Sequence, residues 1–211
     1  MIWLTKQISF PPYKTTTQDG IIALGGDLSD ERLIYAYKNG IFPWYSSGEP
    51  IVWFCPKKRM VLFPNDLKIS KSMRKIIKKN EFTITENTAF KEVIYQCKII
   101  NRKGEFGTWI TKEMEQAYIN LHKRGIAKSI EIWQKNKLVG GLYGIDLGTI
   151  FCGESMFSKV SNTSKLAFIY LAQKEEYQLI DCQIYNKHLA NLGAKEIKRE
   201  EFIMFLRKES S

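Results

Sequence analysis

The chain has 211 residues, 44% hydrophobic and 13% aromatic, enough apolar material for one large domain or for a small domain joined to a larger one. Its formal charge of +10 points to a polyanionic partner. No apolar run approaches the roughly 20 residues that span a bilayer, and Lys6 and Gln7 break the first apolar stretch too early for a signal peptide, so no membrane association and a cytoplasmic location are expected.

The first fifty-odd residues hold five of the six prolines and many aromatics. Within them "GGDLSDERLIYAYKNGIFPW" reads as one short helix. Ser29 stands at its N-cap, Asp30 and Glu31 in its first turn, Leu33, Ile34 and Tyr37 on its buried side, and Asn39-Gly40 at its stop. "PIVWFCP" and "RMVLF" read as two short strands around "KKR". A small irregular N-terminal domain over residues 1–65 and a second domain over 66–211 are predicted.

Positive charge concentrates next. From Lys57 to Lys79 nine cations face Asp66 alone, a net +8 in one stretch. Helical spacing in "SKSMRKIIKKN" puts Lys71, Arg74, Lys75, Lys78 and Lys79 on one side and Met73, Ile76 and Ile77 on another, a basic stripe on an anchored helix suited to nucleic acid. A solvated lysine-rich face is the alternative reading.

Beyond it the expected order is strand "FTITE", helix "AFKEVIYQCKII", the loop "NRKGEFGTW", and a helix "TKEMEQAYINLHKRG" stopped by Gly125. Three strands in series follow, with turns at Lys135-Asn136 and Asp146 to Gly148, a hairpin meander. A helix starts among Ser161, Asn162, Thr163 and Ser164. A strand through Asp181, a helix ending at Gly193 and a last strand "AKEIKREEFI" complete the chain. The class is α+β (mixed α/β), and the order after the basic helix is similar to that of the N-acetyltransferase superfamily. "ESMFSKVSNTSK" lacks the glycines with which acetyl-CoA users bind pyrophosphate, so no coenzyme A is expected.

"LIDCQ" carries the most pointed pattern. On a strand Asp181 and Gln183 project to one side, and Ile180 and Cys182 to the other. The pair reads as a site, or as a strand end reaching solvent, or with Asp181 as the cap of the helix in "YNKHLANLG". Four scattered cysteines and two histidines form neither a disulfide framework nor a zinc pattern, so no metal is expected. A thiol nucleophile at Cys182, partnered by His188 or His122, is opposed by the strand geometry, which turns Cys182 away from Gln183.

Taken together, "GGDLSDERLIYAYKNGIFPW", "PIVWFCPKKR", "GTWI", "LVGGLYG", "FCGESMFS" and "LIDCQ" resemble the leucyl/phenylalanyl-tRNA protein transferase family from Phe10 to about Phe202. The resemblance implies a small N-terminal domain plus an acetyltransferase-like C-terminal domain. It implies transfer of Leu or Phe from aminoacyl-tRNA to the N-terminal Arg or Lys of a protein, marking it for degradation. No cofactor is expected, because the ester is already activated and positioning supplies much of the acceleration. The implied catalytic residues are Asp181 and Gln183, with the carboxylate orienting the amide and the amide oxygen accepting an amine N–H. Glu154 in "GESMF" would help the amine lose its proton or pair with the acceptor's cationic side chain. Leu142, Met156, Phe168, Leu171 and Ile180 stand at or near the family's pocket for the aminoacyl side chain, although alternation sends Ile180 away from Asp181. Trp44 and Trp109, with Tyr37 near the former in sequence, are implied to stack the terminal adenosine of tRNA. Trp53 and Trp133 read as core. The stripe Lys71–Lys79 would hold the tRNA backbone through phosphates. A non-catalytic tRNA-binding module using the same stripe is the rival reading.

Overall fold

The computed structural model describes residues 1–100 and 109–209, so most of the predicted "NRKGEFGTW" loop lies outside the described residues. Two sheets organise the rest. The smaller joins β1 (Trp3–Leu4), β2 (Ile21–Gly25), β3 (Phe42–Pro43) and β4 (Val52–Phe54) in the order β1-β2-β4-β3, with α1 (Asp30–Lys38) between β2 and β3. The larger has seven strands: β5 (Lys58–Leu62), β6 (Thr83–Glu86), β7 (Ala127–Gln134), β8 (Lys137–Asp146), β9 (Ile150–Ser158), β10 (Leu179–Asp181) and β11 (Lys195–Lys198). Their order is β11-β5-β10-β9-β8-β7-β6. Helices α2 (Lys71–Lys79), α3 (Phe90–Ile99), α4 (Lys112–Lys123), α5 (Thr163–Ala172), α6 (Lys187–Ala190) and α7 (Arg199–Glu209) pack around it. The α+β class is therefore the one expected.

Alternation along the strands sorts their side chains into two cores. Val61, Tyr143, Cys152 and Leu179 join α1, α3, α4 and the smaller sheet in one cluster. Leu62, Leu142, Phe151 and Ile180 join α5, α6 and Met73 of α2 in the other. The meander β7-β8-β9 forms as predicted, and its first turn uses left-handed Lys135 and Asn136 (φ 49° and 61°), the conformation that matches strand twist in a two-residue hairpin.

Three expectations are corrected. β5, expected to close the N-terminal unit, pairs antiparallel with both β10 and β11, so the sheets divide between Phe54 and Lys58 and not near residue 65. "AKEIKREEFI" is a strand only to Lys198 and then becomes α7, because Glu200 and Glu201 suit a helical first turn and Phe202, Ile203 and Leu206 share a buried face. On α2, Met73 is buried but Ile77 is 39% exposed, so the anchoring side is narrower than the spacing suggested.

Candidate active site

The site begins where two parallel strands part. β10 pairs with β9 only from Leu179 opposite Ile150 to Asp181 opposite Cys152, while β9 runs on to Ser158 beside β8. Beyond that point the edge of β9 faces a cavity of about 600 Å³, bordered by Gly153 to Met156 on one side and Cys182 to Asn186 on the other. Its apolar end is built from Leu142, Phe151, Phe168 and Leu171, and Phe42, Trp44 and Trp109 also border it.

β10 stops because Asp181 turns the chain. Its Oδ1 accepts the backbone N–H of Gln183 at 2.9 Å, and Gln183 adopts a left-handed φ of 63°. Met60 accepts from the N–H of Cys182 and donates to the carbonyl of Gln183, so two residues stand opposite one. Strand alternation therefore ends before Gln183. The two groups predicted to project together both border the cavity but bond to different partners. The Asp181 carboxylate has no exposed surface and is held bidentately by Arg59 of β5, with Nε to Oδ1 at 2.7 Å and Nη2 to Oδ2 at 2.6 Å. Arg59 Nη1 also donates to the carbonyl of Gly40, just past α1, and the guanidinium lies over the rings of Phe42 and Phe202. Asp181 thus fixes the backbone of the loop and does not touch the Gln183 amide.

That amide finds Glu154 instead. Gln183 Nε2 donates to Glu154 Oε1 at 2.7 Å, and the Tyr118 hydroxyl of α4 donates to Oε2 at 2.9 Å. Glu154 arrives there through a bulge in β9. Tyr143 faces Ser155 and Gly144 faces Gly153, which leaves Glu154 as the extra residue. The insertion sends Glu154 toward α4 and Met156 to the α5 side; without it both would share one face. Gly144 makes the bulge feasible, since a Cβ there would stand 2.2 Å from the Cys152 carbonyl oxygen. Burial pushes the Glu154 carboxyl up to about 8, with the Asp181 charge acting in the same direction and the hydroxyls of Tyr37 and Tyr118 opposing both.

A carboxyl of this kind, clasped to an amide beside an apolar cavity, suits an amine that must lose a proton. Residues 61–207 match the family described as leucyl/phenylalanyl-tRNA protein transferase, and residues 26–57 match its N-terminal domain. The chain belongs to this family. A leucyl/phenylalanyl-tRNA–protein transferase of Flavobacterium johnsoniae is 60% identical over 210 residues, which cover 98% of this chain and 99% of the relative. One from Flavobacterium psychrophilum is 56% identical over 211 residues, covering 99% and 100%. Among solved structures, FemX aligns at a TM-score of 0.50 over 80% of this chain and 66% of its own, at 11% identity, a likeness of fold alone. The two family matches part between residues 57 and 61, close to where the sheets divide.

Most of the site residues that the transferase resemblance implied meet at the cavity. Gln183, Glu154, Leu142, Met156, Phe168, Leu171, Trp44 and Trp109 all border it. Ile180 does not: it is fully buried, although it shares the α5-side core with Leu142, Phe168 and Leu171. Tyr37 is not a stacking platform either, being 1% exposed with its hydroxyl hydrogen-bonded to that of Tyr118. Cys182, expected to face away, does border the cavity, but burial and then the Asp181 charge push its thiol well up, which opposes a nucleophile. His122 is occupied by the Ala127 carbonyl and stacks on Phe90. Lys71, Arg74, Lys75, Lys78 and Lys79 are all exposed on α2, whereas Arg59, counted with the basic run, is buried. Arg59 and Tyr118 were missed. A lone arginine opening the apolar run "RMVLF" was the signal for the first, while nothing in "KEMEQAYINLHK" marked the second.

Proposed function

We propose that this protein transfers leucine or phenylalanine from aminoacyl-tRNA to the N-terminal Arg or Lys of an acceptor protein in the cytoplasm, marking it for degradation. The Glu154–Gln183 clasp at the mouth of an apolar cavity is the observation that carries this reading. A volume of about 600 Å³ lies within the roughly 300 to 1,000 Å³ usual for small-molecule sites, and suits an aminoacyl group with part of its adenosine.

In this reading Leu142, Met156, Phe168 and Leu171 receive the unbranched apolar side chain, and Trp44 or Trp109 stacks the adenine. The acceptor's α-ammonium, of ordinary pKa about 8, meets a carboxyl poised near the same value, so one proton passes to Glu154 with little free-energy cost. Gln183, whose Nε2 is engaged by Glu154, keeps its amide oxygen to accept an amine N–H. The freed amine attacks the ester carbonyl. A C–N bond forms, the bond to the ribose oxygen breaks, and that oxygen takes the second proton from nitrogen. Asp181 and Arg59 are positioning residues that hold the loop carrying Gln183. The exposed cations of α2 receive the tRNA phosphates, with little sequence reading.

The test is transfer of labelled phenylalanine from charged tRNA to two otherwise identical proteins, one beginning with Arg and one with Asp. Labelled product with Arg and little with Asp is expected; tRNA binding without product on either acceptor would leave only a tRNA-binding module.

A further inference from the structure

The mechanism above leaves two buried phenols unused. Tyr37 on α1 and Tyr118 on α4 are 1% and 0% exposed, and their hydroxyls are hydrogen-bonded to each other. Burial, followed by the nearby Glu154 charge, pushes both well above the ordinary phenol value, so they remain protonated donors at any working pH.

We propose that Tyr37 and Tyr118 form a hydroxyl relay that holds the Glu154 carboxylate in place opposite Gln183, so that both act as positioning residues for the acceptor amine. The proposal rests on the reading of Glu154 as proton acceptor. Hydrogen-bond bookkeeping fixes the direction. A phenol has one proton, and that of Tyr118 is spent on Glu154 Oε2 at 2.9 Å. With Glu154 ionised, Tyr37 donates to Tyr118 in the second bond. On the other oxygen, Gln183 Nε2 donates to Oε1. Each carboxylate oxygen thus has one fixed donor, which sets the carboxylate plane and leaves its remaining lone pairs for the substrate.

The relay also spans the molecule. Tyr37 belongs to the N-terminal unit, Tyr118 to the helix behind the meander, Glu154 to the β9 bulge and Gln183 to the loop after β10. The tyrosines are mechanically suited to the task, because the Tyr118 ring packs edge-on against Tyr143, with centroids 5.5 Å apart. The other groups acting on Glu154 are the Asp181 charge, which opposes ionisation, and the Arg59 charge, which favours it; the Asp181–Arg59 pair is itself closed and buried. The Tyr118 hydroxyl is therefore the adjustable donor to the carboxylate, with Tyr37 behind it.

The experiment measures kcat and KM for transfer from Phe-tRNA to an Arg-N-terminal protein between pH 6 and 9, with Tyr118→Phe, Tyr37→Phe, Glu154→Gln and the double variant Tyr118→Phe/Glu154→Gln. Losing a donor to the charged form raises the carboxyl's proton affinity, so the Tyr118→Phe profile should move to higher pH. Its kcat at pH 7 should fall roughly 10- to 100-fold with KM for tRNA unchanged. Tyr37→Phe should shift the profile in the same direction. In the Glu154→Gln background Tyr118→Phe should add no further loss. A Tyr118→Phe enzyme with an unmoved profile, or an equal loss with and without Glu154, overturns the relay, as does a fall in activity matched by a loss of folded protein. If Glu154→Gln transfers at the wild-type rate, the reading of Glu154 fails instead.

Discussion

At the scale of single residues, the acid at 181 is tied to Arg59 and to the backbone of the loop that carries Gln183. Three donors, two from Arg59 and the N–H of Gln183, hold its carboxylate at the border of the cavity with its charge paired. Asp181→Ala would leave a guanidinium buried without its partner, and loss of one member of such a pair typically costs about 3 to 5 kcal/mol. Urea unfolding should show that loss, together with a fall in transfer rate; full stability with lost transfer would restore Asp181 to direct catalysis. Sequence reasoning singled out Asp181, Gln183 and Glu154 and expected Asp181 to orient the Gln183 amide, which bonds to Glu154 instead. Alternation is a property of extended backbone, and an Asp that accepts its own i+2 N–H ends the strand, a turn that the bare letters "DCQ" do not reveal. Arg59 was hidden by its neighbours, because Lys57 and Lys58 are exposed and a run of like charges reads as surface.

Among the elements, two departures from regular sheet geometry make the site: the early stop of β10 and the bulge of β9. The bulge depends on Gly144, where an added Cβ would meet backbone oxygen and cannot be relieved by a rotamer change. Gly144→Ala should therefore destabilise by about 1 to 3 kcal/mol, the usual penalty for overpacking, and should lower transfer by displacing Glu154; a thermal midpoint equal to wild type would contradict this. The meander, α1 and the basic helix were legible because each carries local turn and cap chemistry, such as Asn39-Gly40, Lys135-Asn136 and Ser70, whose side chain accepts the N–H of Met73. Register was not legible. Which residue of β9 becomes the extra one is decided with β8, through the pairing of Gly144 with Gly153, and a single strand's sequence does not carry that. For α2, Lys75→Ala with Lys79→Ala should weaken tRNA binding and flatten its salt dependence by about two phosphate contacts, with kcat at saturating tRNA retained. Unchanged affinity across a salt titration would move the tRNA path elsewhere.

For the molecule as a whole, the N-terminal unit is part of the site. Its α1 supplies Tyr37 behind Glu154 and, through Gly40, a carbonyl for Arg59; Trp44, just past β3, borders the cavity, and its apolar residues are continuous with one face of the larger sheet. We propose that it serves both to brace the carboxyl and to receive the adenosine. Among the described residues no helix is long and apolar enough to cross a membrane. The fold class and family were readable end to end because six separated motifs occur in order, whereas the division between units was displaced by several residues because β5 looks like its neighbour β4 in sequence but pairs with strands more than a hundred residues away. The most direct test of the chemistry is single-turnover transfer of labelled phenylalanine from tRNA to an Arg-N-terminal protein by Glu154→Gln, beside tRNA affinity measured on the same preparation. We expect transfer roughly 100-fold or more below wild type, in the range usual for loss of a general base, with tRNA affinity intact. Transfer at the wild-type rate, or a parallel collapse of affinity, would contradict a proton-accepting role for this carboxyl.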